Sequence, residues 1–272
     1  TNFNISGNGT AGGTLSGNII NATTQFNIGG QRVFATPTNA GSNLFIGKSA
    51  GATLTGGNAN TFVGTGAGTS NISGSSNSYF GVGAGGANLT SSFNSIFGHS
   101  AGSLSTGGSN SFFGTSAGQQ NDTGSSNSFF GYTSGFQNST GFVNSFFGVG
   151  AGLLNGSGNG NTAIGANADF AASNLQNATA VGRRAISGCS NCLVLGAVNG
   201  VNNATADTNV GIGITQPTQR LHVVGNGLFS GNLTVNGTLT ASLPAGSTNY
   251  IQNQNTGPQT SSNFNISGNG TA

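Results

Sequence analysis

Between Asn43 and Gly200 the apolar residues come in adjacent pairs, each closed by a glycine and separated by stretches of Asn, Ser, Thr and Gly. The plainest copy is Asn110-Ser111-Phe112-Phe113-Gly114-Thr115-Ser116-Ala117-Gly118. The closing glycines are Gly47, Gly64, Gly81, Gly98, Gly114, Gly131, Gly148, Gly165, Gly182 and Gly196, at steps of 17, 17, 17, 16, 17, 17, 17, 17 and 14 residues. Such a period marks a solenoid, in which each copy is one coil and stability comes from stacking on neighbours. At ~3.3 Å per residue, a coil of about 17 residues has a contour of roughly 56 Å, enough for two or three short strands joined at glycine corners. A second glycine column (Gly51, Gly68, Gly85, Gly102, Gly118, Gly135, Gly152) follows four residues later, preceded by a small-residue column that includes Ala50, Ala67 and Ala84.

Both members of each pair are apolar. The first members are Phe45, Phe62, Tyr79, Ile96, Phe112, Phe129, Phe146, Ala163, Ala180 and Val194; the second are Ile46, Val63, Phe80, Phe97, Phe113, Phe130, Phe147, Ile164, Val181 and Leu195. Neighbouring residues on a strand point to opposite faces. One column therefore fills the lumen and the other forms an outer stripe, larger than a soluble monomer usually exposes. Burying such a side chain is worth ~1.5–3 kcal/mol, so the outer column is expected to pack against other copies of the chain, closed by cyclic symmetry.

Around the array of ten coils (43–208) the pattern changes. Residues 1–42 hold short β-type runs (Phe3–Ile5, Gly17–Ile20, Gln25–Ile28, Arg32–Phe34) split by Gly and Asn, and are expected to form an opening segment of brief strands wrapped against other copies, as in a β-prism. In 209–240 a connector, Asn209–Ile214 through Pro217 to Leu221–Val224, precedes alternation at Leu233, Val235 and Leu239 that predicts a half-buried prism strand. Residues 241–272 read as a polar linker, and 263–272 repeat residues 2–11 (NFNISGNGTA). This is the signature of a larger tandem unit of 263 − 2 = 261 residues, of which the chain is one copy plus an overlap, so that its start in mid-motif reads as truncation.

Asn177-Ala178-Thr179-Ala180-Val181-Gly182 resembles the head repeat of trimeric autotransporter adhesins, with its Asn-Ala-Thr-Ala-Ile-Gly form and 14-residue period. The close match covers about residues 161–200, and the 17-residue coils before it look like a longer, Phe-rich relative. The connector is similar to those of trimeric bacterial and phage tail-fibre proteins. The resemblance implies a homotrimer of left-handed parallel β-rolls on a bacterial surface. The coiled-coil heptads and membrane anchor of a complete adhesin are not in this sequence.

Composition narrows the chemistry. There are 51 Gly, no Met and no Trp, and only eight formal charges with a net charge of +2. That is too little for phosphate-driven nucleic-acid binding, and no apolar run reaches the ~20 residues of a membrane span. The 19 Phe fall mostly on the repeat grid, which a disordered tract would not keep. Gly81-Val82-Gly83-Ala84-Gly85-Gly86 fits the dinucleotide fingerprint but lacks a following helical pattern and acidic residue, so no cofactor is expected. Cys189-Ser190-Asn191-Cys192 is read as a possible disulfide stapling the last coil, the alternative being two free thiols. His99 and His222 have no triad partners nearby, and no metal set forms. Arg183 and Arg184 near Asp169 are expected to solvate the end of the rod, with receptor binding the alternative. Several Asn-X-Ser/Thr sequons (Asn71, Asn88, Asn121, Asn138, Asn177, Asn203, Asn232) could accept glycans, but four of them fall in the turn slot of successive coils, where backbone bonding is the stronger reading.

The sequence therefore predicts an all-β parallel solenoid flanked by β-prism segments, intertwined as a homotrimer. Its expected role is non-enzymatic: a structural unit of an extracellular filament, stalk or adhesin at the bacterial cell surface, with other copies of itself as partners and a host surface or glycan as a possible ligand. Two alternatives stand beside it. One is a phage-type tail fibre. The other is a single-chain ice- or carbohydrate-binding solenoid, which would be a monomer with a regular exposed Thr or aromatic array.

Overall fold

The computed structural model describes residues 25–28, 31–35 and 42–237. Strands β1 (Gln25–Ile28) and β2 (Gln31–Ala35) form an antiparallel hairpin. Then follow β3 (Leu44–Ile46), β4 (Thr61–Val63), β5 (Ser78–Phe80), β6 (Ser95–Phe97), β7 (Ser111–Phe113), β8 (Ser128–Phe130), β9 (Ser145–Phe147) and β10 (Thr162–Ile164). Beyond β10 come β11 (Asp169–Phe170), β12 (Thr179–Val181), β13 (Ile186–Ser187) and β14 (Leu193–Leu195), then β15 (Val210–Ile212) and β16 (Leu221–Val223).

The ten strands β3 to β10, β12 and β14 pair in parallel, each with the same position of the next coil, and close about nine turns of a parallel β-solenoid. The predicted two or three strands per coil are not what forms. Most coils hold one three-residue strand, and a second two-residue ladder, β11 on β13, appears only in the last coils. The rest of each coil is turns, because residues two past the closing glycine (Ser49, Gly66, Gly83, Ser100, Ser116, Thr133 and their equivalents) sit at positive φ and break any strand. These turns are nonetheless in register: Ser116 N donates to His99 O (2.9 Å) and Gly118 N to Ser134 O (2.9 Å), linking coils as the strands do.

The lumen is dry at one side and polar at the other. The first residue of each apolar pair is buried from Phe45 to Ala180, with Ala50, Ala67, Ala84, Ala101, Ala117 and Ala151 packed beside it. Rings stack along the axis, Phe45 on Phe62 (5.1 Å between centroids) and Phe112 on Phe129 on Phe146 (4.9 and 4.8 Å), with Ile96 interrupting the run. The second glycine column is what lets the rings lie flat. A methyl group on Gly118, at φ +57°, would fall 2.6 Å from the Phe112 ring. The closing glycines do a different job: Gly114, at φ +138°, lies so near the next coil that a methyl there would be 2.5 Å from Gly131 O.

Two residues before the ring column, on the same inward side, runs a spine of buried asparagines, Asn43, Asn60, Asn77, Asn94, Asn110, Asn127, Asn144 and Asn161. Each Oδ1 accepts the backbone N–H of the next member, from Asn60 N on Asn43 Oδ1 (2.8 Å) to Asn161 N on Asn144 Oδ1 (2.8 Å). The spine ends where Ala178 N donates to Asn161 Oδ1, since alanine has no acceptor to pass on. A second column, Asn71, Asn88, Ser105, Asn121, Asn138 and Asn155, closes the polar turns. Asn138 donates to Asn121 Oδ1 (2.6 Å) and Asn155 to Asn138 Oδ1 (2.7 Å). Asn71 Nδ2 is left buried without a partner, because the same slot one coil earlier holds Leu54.

The first end of the ladder is covered and the last, β14, is an edge strand. Strand β2 pairs antiparallel with β3, so the first coil does not present a bare edge. Beyond β14 the chain folds back, Ala197 N donating to Thr208 Oγ1 (3.0 Å) and Thr208 N to Ala197 O (3.0 Å). In the connector β15 and β16 pair in parallel, joined by an Asp207–Arg220 ion pair (2.7 Å). Among the described residues, those up to Gly225 belong to one compact unit and 226–237 to a separate one. Residues 226–237, where a prism strand is expected, form none: Leu233 and Val235 are exposed and have no strand beside them to complete a ladder. Leu239, the runs Phe3–Ile5 and Gly17–Ile20, and the repeat at 263–272 lie outside the described residues.

Candidate self-association surface

Each three-residue strand turns its middle residue into the lumen and its first and third outward. The outward face is therefore two parallel columns. One is hydroxylic, Thr61, Ser78, Ser95, Ser111, Ser128, Ser145, Thr162 and Thr179; the other is Ile46, Val63, Phe80, Phe97, Phe113, Phe130, Phe147, Ile164, Val181 and Leu195. No position of these ten parallel strands carries a formal charge. Five outer phenylalanines form an unbroken stack, Phe80 to Phe147, with centroids 4.6, 4.7, 4.7 and 5.0 Å apart and ring planes within 9°.

That geometry decides what the face offers. Rings stacked this closely cover one another's faces, so only their edges meet solvent, which is why Phe80, Phe97, Phe113 and Phe130 are half-buried. A sugar that stacks on an aromatic face would find only the two ends of the ladder. A second apolar surface, which also wants edge-to-face or offset contact, can use its full length.

The other residues singled out in the sequence fall as follows. Cys189 and Cys192 are joined as a disulfide. The fingerprint Gly81–Gly86 spans the end of β5 and the turn after it, with Gly81, Gly83 and Gly85 all at positive φ and no helix following. His99 is exposed, 3.2 Å from Ser100 Oγ, and His222 Nδ1 accepts from Thr218 N (3.3 Å). Among the described residues, no three His, Cys, Asp or Glu gather as a metal-binding group. No described helix is long and apolar enough to cross a membrane.

Asp169, close to Arg183 and Arg184 in sequence, is buried at the start of β11, accepting from Leu154 N (3.2 Å) and Phe170 N (2.9 Å). Burial pushes its pKa up to about 6 despite those bonds, and Arg184 donates instead to Asn203 O. A cleft of about 260 Å³ opens there between Asp169, Arg184, Asn202 and Leu154. The sequons at Asn71, Asn88, Asn121 and Asn138 fall in the turn slot read from the sequence, and all four side chains are buried in the second asparagine column. Asn177, Asn203 and Asn232 are exposed.

The buried asparagines are the site feature that sequence reasoning missed. The signal was present: an Asn stands four residues before each closing glycine from Gly47 to Gly165. Compared with family models, curated proteins and solved structures, the chain matches none.

Proposed function

We propose that this chain is a non-enzymatic structural segment of an extracellular fibre, in which identical copies run parallel as a homotrimer with their strand faces turned to a common axis. The observation that carries the reading is the outer phenylalanine stack, apolar, uncharged and parallel to the fibre axis. A copy of the same chain has the same ~4.8 Å repeat, so every ring level meets an equivalent level, which few other partners could offer. Backbone bonds between coils would carry load along the fibre and aromatic packing would hold it together across.

The repeat resembling trimeric adhesin heads, and the recurrence of residues 2–11 at 263–272, support a bacterial surface stalk or adhesin. A phage-type tail fibre shares this architecture and differs in what lies at its tip. The single-chain sugar-binding reading is disfavoured by the covered ring faces, and an ice-binding one by a hydroxylic column that is Ser in its five middle coils, with Thr only at the ends. Light scattering on the full chain at micromolar concentration tests the proposal: a trimer supports it, and a monomer removes it.

A further inference from the structure

The carboxylates of this chain are Asp122, Asp169 and Asp207, and only Asp169 is buried, at 5% exposure. It stands four residues after a closing glycine, in a column that is glycine in the seven coils before it, from Gly51 to Gly152. Its backbone duty is modest. Leu154 N donates to both carboxylate oxygens (3.2 and 3.3 Å), where the equivalent N–H groups of Gln120 and Gln137 reach a backbone carbonyl of the next coil. An asparagine would serve as well. It is what the chain uses elsewhere to hold a buried N–H, as Asn71 holds Gly74 N and Asn161 holds Ala178 N. Burying a carboxylate costs far more than burying an amide, so the fold gains nothing from the charge.

What the carboxylate lines is the cleft of about 260 Å³. Around it the repeat departs from its usual residues. Asn167 and Arg184 occupy the slot two residues after a closing glycine, which holds Ser, Thr or Gly in every earlier coil. Asn202 and Asn203, past β14, complete the polar lining, and Leu154 supplies an apolar flank. This lining is fastened in place by its own bonds: Asn202 Nδ2 donates to Asn167 O (2.6 Å), and Arg184 Nη1 to Asn203 O. Asp169 and Arg184 share the cleft yet do not pair, the one ion pair among the described residues being Asp207–Arg220. A carboxylate offers about four lone-pair sites, and the two N–H donors of Leu154 and Phe170 leave Oδ2 with only a shared contact.

We infer that this cleft binds a single neutral sugar ring, its hydroxyls bridging Asp169 and Arg184 and its C–H face lying on Leu154. The lining selects that class of ligand. One carboxylate and one guanidinium cancel, so neither an anion nor a bare metal ion is matched. The carboxylate accepts, the remaining guanidinium N–H groups donate, and the Asn carboxamides can do both, which is the mixture that hydroxyl groups need. The volume lies just under the ~300–1,000 Å³ of drug-sized sites and has room for one ring. The site goes beyond the structural role proposed above and does not depend on it, since every lining residue belongs to one chain.

Saturation-transfer NMR on the full chain tests this, with glucose, galactose, mannose and N-acetylglucosamine as probes at millimolar concentration. At least one sugar should receive saturation from the protein. Asp169→Asn and Arg184→Gln should each weaken its binding about tenfold or more, while circular dichroism and the urea midpoint show both variants folded. Asp169→Asn keeps an acceptor for Leu154 N, so a loss there reads the charge and not the fold. Absence of transfer to all four sugars overturns the inference. So does binding that survives both substitutions, or a preference for free glycine, a zwitterion that would use the same two charges. The number of chains in solution has no bearing on the cleft: a monomer would remove the fibre and leave this site intact.

Discussion

At the scale of single residues, the chain depends on which atoms of each side chain face inward. Replacing Asn127 with alanine strands the Asn144 N–H that Asn127 Oδ1 satisfies, while the Gly141 carbonyl keeps Asn138 Nδ2 as a donor. A buried group left unpaired costs about 1–3 kcal/mol, so Asn127→Ala should lower unfolding stability in urea by about that much. Gly118→Ala, with its methyl against the Phe112 ring and a positive φ to hold, should cost about 2–4 kcal/mol. Asp169 gives a pH signature. Its folded pKa of about 6 lies above the ordinary 3.8, so the native state holds its proton where the unfolded chain has released it. Stability should therefore be greatest below about pH 4, decline as pH rises to about 6 and level off beyond, by on the order of 2 kcal/mol. Asp169→Asn should remove this decline in a series of urea titrations from pH 4 to 8.

At the scale of the coil, the aromatic pair was the legible part of the sequence, because adjacent residues on a strand must face opposite ways and both were apolar. What the sequence hid was the polar half of the lumen. Asparagine is the usual turn residue, and nothing in one copy distinguishes an Asn that caps a turn at the surface from one that bonds the next coil inside. Only stacking separates them: Asn177, one position early in its coil, is exposed at φ +51°, while Asn161 is buried. The strand count was overestimated for a related reason, since contour length says nothing of the left-handed residues that end each strand after three positions. The two ring ladders should respond differently to mutation. Phe112→Ser opens the lumen and should unfold the neighbouring coils. Phe97, Phe113 and Phe130 changed together to Ser should leave the circular dichroism spectrum β-rich while abolishing association.

For the whole molecule, stability and function are expected to come from different faces. The inner rings and the asparagine spine make a coil stack that accounts for itself within one chain. The outer ladder and the hydroxylic column face away from that lumen, and the proposed fibre gives them a use. Polar closing turns on the far side would then face solvent, and the exposed sequons at Asn177, Asn203 and Asn232 would lie toward the connector rather than along the rod. The central claim is that identical copies cover the outer phenylalanines. Native mass spectrometry of the 26.5 kDa chain tests it most directly. The account predicts a dominant species of three chains, which dissociates when the outer ladder is changed to serine; a folded, stable single chain with that ladder intact would contradict it.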